Sequence, residues 1–292
     1  MNGNAGVLLT AHGSVEDLDE LPEFLARIRH GRMPPPELVE EVRRRYVVIG
    51  GSPHLRITNA QAAALESALG LPVFVGMRLA RPELGTALEA AFARGLRTLC
   101  VLPVAPFSVH VYQQAAARAL EERALPGLEL VPVEPWGSAP ELVAAQARLI
   151  APHLASPERT LLLLTAHSLP TGVIAAGDPY QRQFEASARA LENALGHPVR
   201  IAYQSQGLSG GSWLGPDLRT ELERAAQEGA RRVVIAPIGF LADHVETLYD
   251  LDVEARTVAE ALGLAFVRVP ALNTDPGLVA ALAAVARRAL FR

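Results

Sequence analysis

The stretch Asp243-His-Val-Glu-Thr-Leu-Tyr-Asp-Leu-Asp-Val-Glu254 places carboxylates at Glu246, Asp250 and Glu254, each four residues from the next. Positions i, i+4 and i+8 share one face of a helix, so the three form an acidic stripe. No lysine or arginine interleaves it, and like charges at this spacing repel by roughly a few tenths of a kcal/mol per pair. On an α-helix the stripe would drift by about 40° per step. A wider π-type turn would align it better, and such turns often sit at functional sites. A ladder of carboxylates leading from the surface into a cleft suits either cation delivery or proton removal. A solvated acidic face would use the same residues.

A second group with chemical potential is His167, in Ala166-His-Ser-Leu-Pro170, directly after the apolar run Leu161-Leu-Leu-Leu-Thr165. Alone, a histidine at the end of a strand is more often structural. Beside a carboxylate across a cleft it becomes a nitrogen ligand next to an oxygen ligand, a set suited to a divalent first-row metal such as iron. Imidazole also titrates near neutral pH. Two protein ligands make a transit site, because a storage or structural site uses more.

The elements that must position these groups follow from hydrophobic patterning. Runs rich in Val, Ile and Leu at 7–10, 73–75, 99–102, 128–132, 161–165, 199–203, 233–236 and 266–269 read as strands. Segments 86–94, 141–154, 183–195 and 218–228, rich in alanine, have helical composition. Alternation of this kind implies parallel sheets covered by helices on both faces.

The chain also repeats itself. Val7-Leu-Leu-Thr-Ala-His12 returns as Leu162-Leu-Leu-Thr-Ala-His167, and Gly70-Leu-Pro-Val-Phe-Val75 as Gly196-His-Pro-Val-Arg-Ile201. Gly95-Leu-Arg-Thr-Leu-Cys-Val-Leu-Pro103 returns as Gly229-Ala-Arg-Arg-Val-Val-Ile-Ala-Pro237, and His110 and His244 follow those prolines at equal distance. Three echoes in one order predict an α/β protein of two similar Rossmann-like halves, 1–152 and 153–292, joined near 151–158. Ligands of open α/β sheets bind outside the carboxyl ends of the strands. The repeat puts His12, His110, His167 and His244 there, so two facing halves would direct all four towards one cleft.

Bulk properties narrow the function. The 292 residues are half hydrophobic and carry a net charge of -4, which offers no electrostatic footprint for nucleic acid. Any anionic ligand must be held by locally placed arginines. A single cysteine, Cys100, cannot form an internal disulfide or ligate an iron–sulfur cluster. It reads as a buried thiol in a reducing cytoplasm. The N-terminus lacks a signal-peptide pattern, and the longest apolar run, 278–286, is far below the roughly 20 residues of a membrane helix. No integral membrane segment is expected. A duplicated chain supplies two lobes by itself, so a monomer is expected.

Several segments closely resemble the ferrochelatase family. They are Ala166-His-Ser-Leu-Pro170, Gly177-Asp-Pro-Tyr180, Tyr203-Gln-Ser205 with Trp213-Leu-Gly-Pro216, and Gly239-Phe-Leu-Ala-Asp-His-Val-Glu-Thr-Leu-Tyr-Asp250. Ile28-Arg-His-Gly-Arg32 and Arg45-Tyr-Val-Val-Ile-Gly-Gly51 add to them. The matching runs from about residue 6 to the C-terminal helix, in family order, and the segment at 240–250 is specific on its own.

The resemblance implies a chelatase-type fold and a lyase of heme (porphyrin) biosynthesis. In its reaction Fe²⁺ is a substrate, enters a porphyrin and displaces two pyrrole protons. His167 and Glu246 match the family's metal and proton pair, and Asp250 and Glu254 match its acidic path on a π-wound helix. His167, Glu246, Asp250 and Glu254 are therefore the implied metal-handling residues. Arg29, Arg45, Tyr46 and Tyr112 match porphyrin-contacting positions, the arginines able to fork onto propionates. No permanently bound cofactor is implied. Soluble bacterial members of the family, which act on coproporphyrin III or protoporphyrin IX, are the expected relatives, with a slight tilt to coproporphyrin from the single cysteine and the Arg45-Tyr46 pair.

The chain departs from the pattern in places. Family members of the soluble type usually read Ala-Tyr-Gly-Thr where Ala11-His-Gly-Ser14 stands, so His12 either replaces that tyrosine as a ligand to product iron or merely fills its space. The loop Gly50-Gly-Ser-Pro-His-Leu55 is a residue short, which leaves the porphyrin contact expected of Ser52 open. The loop before Ser108 is also shortened. The cysteine-bearing C-terminal extension of some relatives is not expected, and with it no iron–sulfur cluster.

Two other readings share these features. Sirohydrochlorin chelatases for cobalt or iron have the duplicated plan and often a His-Gly-Ser near the start, as His12-Gly-Ser14 does; Asp243-His-Val-Glu246 favours the His–Glu pairing instead. A non-enzymatic carrier of metal or tetrapyrrole needs affinity but no base. Nucleotide binding at Gly207-Leu-Ser-Gly-Gly211 lacks the required glycine spacing.

Overall fold

Every apolar run expected as a strand is one in a computed structural model of the chain, which describes residues 4–154, 159–207 and 211–291. The strands are β1 (Ala5–Ala11), β2 (Val73–Met77), β3 (Thr98–Pro103), β4 (Glu129–Pro132), β5 (Thr160–His167), β6 (Val199–Gln204), β7 (Arg232–Ala236) and β8 (Ala265–Arg268). They form two sheets of four, ordered β2-β1-β3-β4 and β6-β5-β7-β8. Every pairing is parallel. Parallel neighbours need long crossovers, and helices supply them.

The sequence echoes now have a physical origin. Gly70 and Gly196 stop the helices His54–Leu69 and Tyr180–Leu195 in the left-handed region, at φ +67° and +60°. A side chain with a Cβ resists that conformation, so glycine recurs where each helix must turn into the next strand. The central strands β1 and β5 are buried on both faces, with Leu8 in one core beside Leu88, Leu99 and Val101 and Leu163 in the other beside Leu222, Val233, Ile235 and Leu251.

The chain divides into two compact units, but not at 152/153. The first comprises 1–136 and 273–292, the second 137–272. The C-terminal helix Pro276–Leu290 packs on His54–Leu69 and on β3, while Pro140–Ile150 packs on Tyr180–Leu195. Each of these helices buries its apolar stripe on the unit that supplies a matching face, and sequence order does not decide which. The expected junction at 151–158 falls partly on 155–158, outside the described residues, as do 208–210 of the glycine-rich segment.

Among the described residues no helix is long and apolar enough to cross a membrane. Cys100, in the middle of β3, is fully buried, and burial pushes its thiol up to about 12. Because the thiolate is the reactive form, the folded protein is expected to resist iodoacetamide at about pH 8 and to be alkylated once in denaturant. Mass spectrometry of the native and unfolded protein reads this directly; rapid native alkylation would contradict it.

Candidate active site

His167 is the last residue of β5, and the chain leaving it is tied on several sides. Its carbonyl accepts from the Tyr180 hydroxyl at 2.9 Å. The next amide, Ser168 N–H, donates to the Gln204 carbonyl at 2.7 Å, and the Ser168 hydroxyl donates to the Leu214 carbonyl at 2.9 Å. From β7, Gly239 N–H donates to the Thr165 carbonyl at 3.0 Å. A Cβ on Gly239 would lie 2.7 Å from the Ala166 Cβ, so only glycine lets the turn after β7 sit this close to the foot of His167.

That turn leads into the acidic segment. Glu246 lies in the short helix Val245–Leu248, whose start is fixed by the His244 N–H donating to Thr247 Oγ1 at 3.0 Å. Thr247 Oγ1 donates in turn to Asp243 at 2.9 Å. Gln204, at the end of β6, accepts from the Thr165 hydroxyl at 2.7 Å and donates through Nε2 to the Glu246 carbonyl at 2.7 Å. One side chain thus links the strand of His167 to the backbone of Glu246.

The result is that Glu246 Oε2 stands 3.2 Å from His167 Nδ1 and 3.5 Å from His244 Nε2. The Glu246 oxygen lies off the axis of the His167 ring N–H, and Nδ1, though buried, has no aligned hydrogen-bond partner. The two groups hold each other by charge while leaving Nδ1 able to take another partner. Burial works against a protonated His167, but the Glu246 carboxylate beside it prevails and raises its pKa. Burial likewise works against an ionised Glu246, yet His167 and His244 hold it well below the usual carboxylate range. A charged carboxylate and a proton-accepting nitrogen therefore share one place.

Beyond Glu246 the helix widens. Asp250–Ala255 is π-wound, and the Glu254 N–H reaches the Tyr249 carbonyl, five residues back, at 3.1 Å. The expected π winding is present over Asp250–Ala255, while Glu246 lies in the short α-helix before it. Glu246 is half-buried, Asp250 buried and Glu254 exposed. Asp250 accepts from the Ser205 hydroxyl, and Ser205 holds that position with φ +59°. Among the described residues no group of three or more His, Cys, Asp or Glu is disposed to hold a metal ion.

The first unit places its expected ligand contacts differently. His12 follows β1, half-buried, with its ring edge-on to Phe24 at 6.4 Å between centroids. Arg29 ends the helix Leu21–Ile28, half-buried, with Nε buried and lacking a hydrogen-bond partner. Arg45 already donates through Nε to Glu41 at 2.9 Å. The Ser52 hydroxyl oxygen accepts the His54 N–H at 3.4 Å, inside its own loop. Tyr46 is 1% exposed, its hydroxyl 2.8 Å from that of Ser14, and Tyr112 is 6% exposed. Both tyrosine rings are buried in the unit, unlike the half-buried His12 and Arg29.

Sequence reasoning did not single out Gln204, Ser205, Gly239 or Arg268 as site residues. A glutamine closing the buried strand β6 and an arginine closing β8 were the available signals, since polar ends of buried strands need partners. The strain at Ser205 and the close approach at Gly239 leave no mark in residue type alone.

Comparison with known proteins agrees with this geometry. A family model described as Ferrochelatase matches residues 4–290. A ferrochelatase of Acidobacterium capsulatum is 37% identical, covering 100% of this chain and 96% of the relative. A coproporphyrin III ferrochelatase of Geobacillus kaustophilus is 34% identical, covering 96% of this chain and 94% of the relative. The structure of SirB from Bacillus subtilis with Fe³⁺ superposes with a TM-score of 0.65 at 15% identity, over 99% of this chain and 96% of that one. At that identity the likeness is one of fold.

Proposed function

This chain belongs to the ferrochelatase family, enzymes that insert iron into a porphyrin, and on that premise we propose that His167 and Glu246 are where Fe²⁺ and pyrrole protons change places. The observation that carries the reading is the 3.2 Å approach of His167 Nδ1 to Glu246 Oε2. One Fe²⁺ enters the macrocycle and two N–H protons leave, so charge is conserved. A base must stand near the pyrrole nitrogens, and hydrated iron must exchange water for ligands that then release it. An anionic Glu246 favours the cation, and its charge makes the neighbouring His167 nitrogen a better proton acceptor, outweighing burial. Asp250 and Glu254 extend this negative charge towards solvent.

Arg29, with its unsatisfied Nε, is the first unit's best cation for a propionate, and His12 and Ser52 remain its other candidate contacts. Tyr46 and Tyr112 are not part of the reading. Coproporphyrin III is favoured over protoporphyrin IX, from which it differs by two propionates in place of two vinyls. The Geobacillus relative, named for that substrate and alike over nearly its whole length, supports the choice. The buried free thiol of Cys100 suits a reducing cytoplasm.

The test is anaerobic Fe²⁺ insertion into coproporphyrin III, protoporphyrin IX and sirohydrochlorin, followed through the absorbance of the free macrocycle. Coproporphyrin III is expected to be consumed fastest. Turnover of sirohydrochlorin alone would move the substrate to the other chelatase class. No turnover with any of them would leave a carrier.

A further inference from the structure

The segment that bears Glu246 and Asp250 is held at both ends by one largely buried side chain. Arg268, the last residue of β8, donates through Nη1 to Asp243 at 2.8 Å and through Nε to Asp252 at 2.7 Å. Its side chain is only 12% exposed. Asp243 lies two residues before the helix of Glu246 and anchors Thr247, while Asp252 lies inside the π-wound stretch. The Arg256 Nε donates to the Asp252 carbonyl at 3.1 Å, which fixes the far end to the following helix.

We propose that Arg268 is a positioning residue for metal insertion, a fork that sets the Glu246–Asp250 segment in register with His167. The inference rests on the reading of His167 and Glu246 as the reacting pair. Its physical basis is that π winding is intrinsically uncommon and needs outside support. Charge-assisted bonds from a planar guanidinium supply it in fixed directions. A chain pinned at Asp243 and at Asp252 cannot slide past β5 without breaking a partly buried ionic contact, so the approach of Glu246 to His167 is set by a residue on the neighbouring strand of β7. Arg268 itself touches neither member of that pair through any contact described here, so its influence must pass through the segment it holds.

Two variants test this. In Arg268→Lys the ammonium can satisfy one carboxylate but not both in the same plane. In Arg268→Met with Asp252→Asn the second substitution removes one of the carboxylates left without the fork, which favours a folded protein. For both, kcat for iron insertion is expected to fall by about 10- to 100-fold, because small misplacements of reacting groups are costly. KM for the porphyrin should stay within about twofold, since only groups that bind substrate move it alone. Amide hydrogen exchange is expected to quicken across 243–255 and to stay as in the wild type across β5 and β7.

An unchanged kcat in the folded variants, a change confined to KM, or unaltered exchange across 243–255 would each overturn the proposal. Should the wild-type protein turn over no porphyrin, the functional reading fails, and hydrogen exchange still decides whether Arg268 holds the segment.

Discussion

Replacing His167 with alanine is expected to abolish iron insertion while leaving porphyrin binding intact. In the proposed reading the imidazole contributes the nitrogen of the pair, and the nearby His244 is placed differently: its Nε2 approaches Glu246 from its own loop at 3.5 Å, and its Nδ1 lies 3.1 Å from the Ala242 carbonyl. Positioned proton transfer is worth about 10²- to 10⁴-fold in rate, and loss of a metal ligand comes on top. Glu246→Gln should cost a similar amount, because the amide keeps the shape and loses the charge that draws the cation and holds His167 ready. The double variant should be little worse than either single one, since two groups acting as a unit fail together. Porphyrin affinity, read from quenching of protein or porphyrin fluorescence, should change by less than about threefold, as these residues act on the centre of the macrocycle and not on its propionates. Retention of a large part of the wild-type rate by either single variant would remove the pair from the chemistry. Additive losses would show that the two work separately.

The second large effect is predicted at a residue with no functional group. Gly239→Ala puts a Cβ 2.7 Å from the Cβ and 2.9 Å from the Cα of Ala166. Both of those atoms belong to the strand that carries His167, so neither can move away as a flexible side chain could. Overpacking of this kind costs about 1–3 kcal/mol, and the strand end shifts with it. A lower midpoint in urea together with a loss of insertion activity is therefore expected. Pairing the change with Ala166→Gly removes one of the two clashing atoms and should recover part of both losses. If Gly239→Ala alone unfolds at the wild-type urea concentration and retains full activity, the close packing of the turn after β7 against β5 is not what sets His167.

These two predictions come from different kinds of information. His167 and Glu246 could be singled out in the sequence by their residue types and because the repeat places His167 at the end of a strand; that they meet at 3.2 Å is what the structure adds. The eight strands were visible for the same reason that parallel sheets are conspicuous: strands covered on both faces must be continuous apolar runs. The acidic stripe was visible as spacing, and the advantage of π winding followed from geometry. Gly239 could be read only as a turn residue, because the demand on it comes from Ala166, 73 residues earlier.

Tyr46 and Tyr112 resemble ligand contacts by position, yet both rings are buried, Tyr46 with its hydroxyl beside that of Ser14 and Tyr112 with the Arg78 guanidinium 6.0 Å from its ring centre. Arg45 lies one helical turn from Glu41, close enough for its charge to be met locally. The division at 152/153 followed the order of the repeat, whereas the helix Pro276–Leu290 belongs with the first unit, on whose helix His54–Leu69 it packs.

The sequence by itself determined the duplicated parallel α/β plan, the spacing of the acidic stripe, and the family to which the chain belongs. Tertiary structure alone decided that Glu246 meets His167 at 3.2 Å, that Gln204 and Arg268 hold the intervening chain, and which of the expected contacts are interior. Residue types report what a side chain can do within its own segment. The distance between segments 79 residues apart depends on the sum of many packing contacts in the strands and turns beneath them, and no local pattern encodes that sum.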